Sequence, residues 1–424
     1  MSALFDAIRT KFGRDLAINV GAFAVMGVAG IAMNVFIGRQ FGAAALGVFN
    51  QLFAVHIFLS QFAVLGVQFS VLRHIPEHAQ DKRQCGAILA SGLLAASLPA
   101  FAVTLAAWSL QDALGALFDS DGVRDGLPWI VASVWIFAAN KILLNALNGV
   151  REMAVFAAGQ AGRFVAMFAL LIVLAAAGTP ANQLSAVIFG AELLLCAFLM
   201  ARCAARFALN LESCAYRIKR HLEFGARGFL SGSMSELNSR VDVIILGIFA
   251  SDGVVGVYSF AATVAEGLGQ LPIVLRNNLN PLLTQAFASG DRDRLAQMAA
   301  GARRATYRVM AAIILAAILV FPFFVQLAVA ESVFAEASLL FTILAVGLWL
   351  GSGYMPLDMY LVQCGFPDMQ SFFKAAVLAT NITLNLALIP VFGPAGAATA
   401  MAASWALSAL YVRRLGWVAT GVKI

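Results

Sequence analysis

Charge is what this sequence has least of. Only 12% of its 424 residues are Asp, Glu, Lys or Arg, about half of the ~25% usual for a soluble globular domain. So few charges cannot clothe a water-facing surface, and a soluble enzyme or binding module is excluded. Histidine is scarcer still: there are four, they do not cluster, and no HExxH pair is present. The chain also lacks GxxxxGK[ST] and GxSxG, which removes a P-loop ATPase and a serine-hydrolase elbow. The five cysteines, Cys85, Cys196, Cys203, Cys214 and Cys364, form no CxxC. They fall in predicted spans or on the side assigned below to the cytoplasm, so reduced thiols are expected rather than a disulfide framework. The formal net charge is +6, but no basic stretch is interleaved with aromatics as a nucleic-acid groove requires. No cofactor motif and no metal-ligand cluster is present.

What the chain has is apolar length. Hydrophobic residues make up 61% of it. A spanning helix takes ~20 mostly apolar residues, and twelve would use nearly all of them. The expected fold is all-α and membrane-embedded, with twelve transmembrane helices in two pseudo-symmetric six-helix lobes around a central cavity. The spans are placed near 16–38, 45–70, 85–108, 126–148, 154–177, 183–207, 222–250, 254–278, 306–330, 334–362, 370–390 and 394–415. The first begins near Leu16 without a small-residue cleavage pattern, so it reads as a retained span. Breaks coincide with turn chemistry at Gly42, Asp119-Ser120-Asp121-Gly122, Gly178-Thr179-Pro180, Asp252-Gly253, Gly290-Asp291 and Gly393-Pro394.

The distribution of cations tests this scheme. With both termini cytoplasmic, 21 of the 28 Lys and Arg fall on inner segments, from Arg9, Lys11 and Arg14 to Arg413, Arg414 and Lys423. Only Arg39 and Arg124 fall outside. The other five, Lys141, Arg163, Arg227, Arg240 and Arg276, sit within predicted helices. The expected organisation is an N-terminal lobe over 1–207, a cytoplasmic linker over 208–221 and a C-terminal lobe over 222–424. The halves resemble each other weakly: Phe41-Gly42 leads to Gly47-Val48-Phe49, and Phe249-Ala250 leads to Gly256-Val257-Tyr258. With six helices per half, the repeats would relate by an axis along the membrane normal.

Charges at bilayer depth are the informative residues. Besides those five cations there are Glu192, Glu236, Asp242, Glu266 and Asp358, with Glu152 at a rim. At ~2.5–3.5 kcal/mol each, ten such groups facing lipid would cost about 30 kcal/mol. They must face a wet cavity or one another. The seventh helix is densest. Glu236 and Arg240 lie four apart and so share a face, in the order that favours an ion pair. Gly228 and Gly232 offer a close-approach surface, so the segment reads either as packing or as a cavity wall, and its hydroxyls and charges favour the wall. Lys141, with Asn145 one turn on, and Arg163 lie too deep to snorkel easily. Arg227 and Arg276 lie near helix ends, where reaching for headgroups is the ordinary alternative. Glu192 and Glu266 read as isolated acids, either proton or cation sites or neutral core groups. His56 reads as a satisfied core residue. The Arg202–Arg220 cluster reads mostly as topology and lipid electrostatics. Asp119-Ser120-Asp121 has the form of a metal-sugar DxD pair but serves equally as a solvated turn.

With these residues in view, the chain resembles the polysaccharide transporter branch of the multidrug/oligosaccharidyl-lipid/polysaccharide superfamily, the O-antigen-type flippases. The resemblance rests on Gly38-Arg39-Gln40-Phe41-Gly42 through Gly47-Val48-Phe49 and on Gly66 to Arg73. It also rests on Ser239-Arg240-Val241-Asp242 through Gly247, Val255-Gly256-Val257-Tyr258, Leu271-Pro272 and Asn280-Pro281-Leu282-Leu283. The family's tyrosine after the hairpin glycine is kept at Tyr258 and replaced by Phe49. The resemblance implies an alternating-access flippase of the bacterial inner membrane, not an enzyme. It would move a polyprenyl-diphosphate-linked oligosaccharide from the cytoplasmic to the periplasmic leaflet. On that reading Lys141, Arg163 and Arg240 meet the anionic head, Glu236 positions Arg240, and Arg227 and Arg276 complete the substrate-binding set. The implied partners are the lipid-linked oligosaccharide, membrane lipids, a coupling ion (proton or sodium) and a polysaccharide polymerase, with no nucleic acid. A cation-coupled multidrug antiporter and a membrane glycosyltransferase or polymerase are the alternatives.

Overall fold

The computed structural model describes residues 11–208, 210–211, 214–329, 332–422 and 424. Arg9 and Lys423 of the inner-side count, and Leu209, Glu212 and Ser213 of the expected linker, lie outside the described residues. Among the described residues the secondary structure is helical, with no strand. Among the described residues nine helices are long and apolar enough to cross a membrane.

Two of the nine are double. The first, α1 (Lys11–Val64), has 54 residues and would be about 80 Å long if straight, far beyond the ~30 Å hydrocarbon core. It breaks at Gly42, whose φ of 86° suits glycine. The last helix, Pro367–Thr420, breaks likewise at Gly393, with φ 57°. Between them come α2 (Val67–His74), α3 (Lys82–Ser109), α4 (Gln111–Leu117), α5 (Asp121–Gly149), α6 (Met153–Ala176), α7 (Ala186–Arg206), α8 (Cys214–Asn238) and α9 (Val241–Phe249). There follow α10 (Asp252–Ala288), α11 (Arg292–Ala328), α12 (Ala337–Ser352), α13 (Tyr360–Gln363) and the double helix α14. Two arms each for α1 and α14, with the interrupted pair α8–α9, bring the membrane-length segments to the expected twelve.

Three expected helices are interrupted. The second span, placed at 45–70, breaks at Leu65 and Gly66, with φ 45° and 72°. There the backbone passes so close to α8 that a Cβ on Gly66 would lie 2.3 Å from the Gly225 carbonyl oxygen. The seventh, placed at 222–250, begins at Cys214 and stops at Asn238; Arg240 has φ −131° and ψ −5°. Buried Asn381 donates to the Asn238 carbonyl at 3.1 Å, satisfying one of the acceptors that the broken helix end frees. The tenth, placed at 334–362, ends at Ser352 and gives way to a 3-10 turn at Met355–Leu357 and to α13. Elsewhere caps act where the turn chemistry expects them. Ser120 accepts from Val123 N at 3.1 Å, and Asp291 from Arg294 N at 2.9 Å.

The chain forms two compact units, Met1–Met33 with Gln51–Glu236, and Asn34–Asn50 with Leu237–Ile424. The first is centred on α5, whose Val123, Leu127, Ile130, Val134, Phe137, Leu143 and Leu144 are buried. The second is centred on α12, with Phe260, Phe321, Phe334 and Phe341 packed together and the Phe321 and Phe341 rings stacked 4.0 Å apart. Exposed Val28, Phe323, Leu327 and Val391 form the apolar outside that a lipid solvent demands.

Within the second unit the two repeated turns cross each other. A Cβ on Gly47 would lie 1.8 Å from the Asp252 carbonyl oxygen, and one on Gly256 would lie 2.0 Å from that of Ala43. Each glycine thus seats the carbonyl four residues ahead of the other. The weak sequence repeat is a local two-fold crossing in space.

Candidate functional site

The membrane-depth charges answer the choice posed above: each deep cation except Arg227 meets a carboxylate. In the first unit, α5 carries Asn140 and Lys141 on consecutive positions one turn after Phe137. The Lys141 ammonium lies 2.9 Å from Glu236 Oε1 and 3.2 Å from Oε2, and Gln61 donates to Glu236 Oε2 at 2.7 Å. Arg163 on α6 pairs with Glu192 on α7, Nε to Oε1 2.7 Å, and Asn140 donates to Glu192 Oε2 at 2.7 Å. Both cations sit over Phe137: the Arg163 guanidinium 4.6 Å and the Lys141 ammonium 5.4 Å from the ring centroid. His56 meets the same ring edge-on at 5.0 Å and lies 2.8 Å from Ser133 Oγ. It is the satisfied core residue expected.

In the second unit Arg240, at the start of α9, pairs with Glu266 on α10 at 3.5 Å. Two residues on, buried Asp242 accepts from the Tyr258 hydroxyl, while its other carboxylate oxygen has no hydrogen-bond partner among the described residues. Arg276 on α10 reaches Asp358 at 3.1 Å. Lys374 donates to both Asp358 oxygens at 2.6 and 2.7 Å. Asp358 sits where the tenth helix is interrupted, and Gln370 donates to its backbone carbonyl at 2.8 Å.

Several expectations are corrected by this geometry. The seventh helix, expected to run unbroken through Glu236 and Arg240, breaks after Asn238; in the first unit Glu236 meets Lys141 and Gln61, and in the second Arg240 meets Glu266. Glu192 and Glu266, read as isolated, are ion-paired. Arg276, placed near a helix end, is the twenty-fifth residue of a 37-residue helix and pairs with Asp358. Arg227 lies well inside α8 rather than near its start. It is exposed and lines a cavity of about 320 Å³ with Arg73, Arg220 and Glu223. The histidines, read as unclustered, gather: His74, His78 and His221 line one cavity of about 570 Å³ with Arg217 and Arg220. Asp119-Ser120-Asp121 is a helix start, with Ser120 as cap and Asp121 3.6 Å from Arg124.

Exposure sorts the pairs. The Arg163 and Glu192 side chains are 11% and 2% exposed, whereas Lys141 and Glu236 are 20% and 43%, and Arg240 and Glu266 are 23% and 26%. The first pair is sealed in protein; the other two reach open space. Asn381 and Asn385, both buried and linked by a 2.8 Å hydrogen bond, escaped an inspection limited to formal charge. Their signal was two amides one turn apart in an otherwise apolar span. Gln61 and Asn140 were missed for the same reason, and Lys374, within the span placed at 370–390, was counted with the inner-side cations.

Comparison with known proteins places this geometry. Residues 42–341 match the family described as "Polysaccharide biosynthesis protein". No curated protein matches the sequence significantly. Among solved structures the chain is similar to the lipid II flippase MurJ in an inward closed conformation. That match has 14% identity and TM-score 0.77, and covers 93% of this chain and 86% of that one. It is also similar to an inward-facing multidrug resistance MATE family transporter of the MOP superfamily, at 14% identity and TM-score 0.73, covering 96% and 98%. A third is a MOP superfamily transporter from Pyrococcus furiosus, described as having a binding pocket of reverse polarity, at 13% identity and TM-score 0.59, covering 98% and 97%.

Proposed function

We propose a function on one premise: the chain belongs to the polysaccharide biosynthesis protein family. On it, this membrane protein is a flippase of the inner membrane. By alternating access it carries a polyprenyl-diphosphate-linked oligosaccharide from the cytoplasmic to the periplasmic leaflet. The observation that carries the reading is the pair of accessible cations, Lys141 and Arg240, each held in a low-dielectric region by a carboxylate. At either cation a diphosphate has the chemistry to compete with the carboxylate. Charge-assisted hydrogen bonds to phosphate are strong, and the carboxylate keeps each cation tolerable at membrane depth while no cargo is present. Arg163 is assigned here to holding Phe137 and α7 in place, because its guanidinium is committed to Glu192. Amides such as Gln61 and Asn145 suit the sugar. Arg276 pairs with Asp358, which Lys374 also holds, and Arg227 lines a cavity with Arg73, Arg220 and Glu223.

The antiporter reading draws on Asp242 and Glu266, carboxylates whose protonation could couple to a proton or sodium gradient. The test is genetic and direct. In cells deleted for the gene, the wild-type chain should restore surface glycan and clear accumulated lipid-linked sugar, while Lys141→Ala and Arg240→Ala chains insert normally and restore neither. Restoration of drug resistance without any change in lipid-linked sugar would sink the flippase reading. Sugar transfer by the purified protein would establish the glycosyltransferase alternative instead.

A further inference from the structure

The two cavities at one end of the first unit are built from segments that the cation distribution assigns to the cytoplasm. They share His74, Glu77 and Arg220. One wall is the end of α2 and the 3-10 turn Pro76–His78; the other is the first four turns of α8, from Tyr216 to Arg227. Four arginines line them, Arg73, Arg217, Arg220 and Arg227, against two glutamates, Glu77 and Glu223. Both acids already have partners: Glu77 is bonded to Arg73, and Glu223 lies 3.9 Å from Lys219. Arg217 is anchored by one nitrogen on Gln84 Oε1 at 2.7 Å, while its buried Nε has no hydrogen-bond partner among the described residues. Neither Arg220 nor Arg227 has an ion pair among the described residues.

The floor is polar and neutral. His221 is buried, with Ser70 Oγ 2.8 Å from Nδ1 and Ser91 Oγ 3.2 Å from Nε2. Burial, reinforced by His74 and Arg217, pushes it down to about 4, so it carries no charge near neutrality. The four lining arginines outnumber the two lining glutamates by two, before Lys219 beside Glu223 is counted. A lipid phosphodiester, with one negative charge, would leave one guanidinium uncompensated. A diphosphate ester or a terminal phosphate carries two.

We propose that this cavity binds a doubly charged phosphate group, diphosphate above all, with Arg217 and Arg220 as its principal donors and Arg73 and Arg227 at its margin. A cavity of about 570 Å³ exceeds what the phosphates need and leaves room for the first sugar or nucleoside beside them. The natural ligand is the cargo's own diphosphate on the cytoplasmic side, and for that identity alone the inference rests on the flippase reading. Binding is measured without transport, so failure of the one is separable from failure of the other.

The experiment is calorimetric titration of the full-length protein in detergent with inorganic pyrophosphate, inorganic phosphate and dihexanoyl phosphatidylglycerol below its micellar concentration. Pyrophosphate should bind best and the phosphodiester worst. Arg217→Gln and Arg220→Gln should each weaken pyrophosphate by about tenfold or more, the loss of a hydrogen bond to a charged group. Arg220 is exposed, so its variant keeps the fold, and an unchanged unliganded melting temperature verifies it. Lys219→Gln, outside the cavity, should bind as wild type. Phosphatidylglycerol binding as tight as pyrophosphate, no pyrophosphate binding, or wild-type affinity in Arg220→Gln would each overturn the proposal.

Discussion

Replacing Glu192 by glutamine keeps the side chain's shape and removes its charge, leaving the Arg163 guanidinium sealed in the first unit without a counter-ion. The Phe137 face at 4.6 Å offsets only a little of that, about 1–2 kcal/mol. Removing one partner of a buried pair costs about 3–5 kcal/mol, whereas replacing both by apolar groups is often neutral or better. Glu192→Gln and Arg163→Leu should therefore each destabilise by ~3 kcal/mol or more, and the double variant Arg163→Leu/Glu192→Leu by far less than their sum. The same change at Glu236, 43% exposed, should cost ~1 kcal/mol at most, because solvent screens the charge left behind. Thermal melts in detergent followed by tryptophan fluorescence give the four values, and glycan export in deleted cells gives the companion readout. The double Leu variant should still export, while Lys141→Ala, more stable than either single Glu192 or Arg163 variant, should not. If Glu236→Gln proved as destabilising as Glu192→Gln, or if the double Leu variant summed its parts, exposure would not be what separates structural from functional pairs.

Three further outcomes follow from the geometry. Gly47→Ala or Gly256→Ala places a methyl 1.8–2.0 Å from a backbone carbonyl, which no rotamer relieves; each should cost ~3 kcal/mol, read as a lower melting temperature, with Gly253→Ala, which meets nothing within 4 Å, as the tolerated control. Asn381→Ala strands the Asn238 carbonyl and should cost ~1–3 kcal/mol, whereas Asn381→Asp, still without a donor for that carbonyl when ionised, should be no better. His221 lies one residue before the seventh predicted span and is held down at about 4 against an ordinary 6.5. The unfolded chain then binds the extra proton first, so the stability this neutral histidine allows is complete above pH 6.5 and is lost as the pH falls from 6.5 towards 4. The loss amounts to about 3 kcal/mol at most. Melts between pH 7.5 and 4.5 should show a shallower decline in His221→Gln than in wild type; parallel declines would refute the assignment.

Much of this architecture was legible because bilayer physics leaves few options. Apolar length fixed the number of crossings, and glycine at positions 42, 178, 290 and 393 marked where the chain turns, each with the positive φ that its lack of a Cβ permits. What composition could not supply was tertiary interruption. Leu65-Gly66 breaks because α8 passes against it at Gly225, and the seventh helix breaks where an asparagine from 143 positions downstream accepts the task of capping it. Neither partner is local, so neither break leaves a local signature beyond a glycine or a serine. The irregular 353–359 segment is likewise held by Lys374 and Gln370 from the next helix.

The charges make the same point about function. Sequence alone required that ten ionic groups at membrane depth be neutralised, because the cost of leaving them to lipid is prohibitive. It could not say by what, because the partners lie far apart in sequence. Lys141 finds Glu236 across 95 positions and Arg276 finds Asp358 across 82. Such long separations mean that each pair ties one helix to another, so a cargo able to displace the carboxylate would act on helix packing as well as on charge. The sealed pair at Arg163 cannot serve in this way, since no phosphate reaches it; the open pairs at Lys141 and Arg240 can. A binding event that trades a fixed carboxylate for a mobile diphosphate would loosen the tie between helices at the moment the cargo is held, and this is the physical link between recognition and movement that a flippase needs.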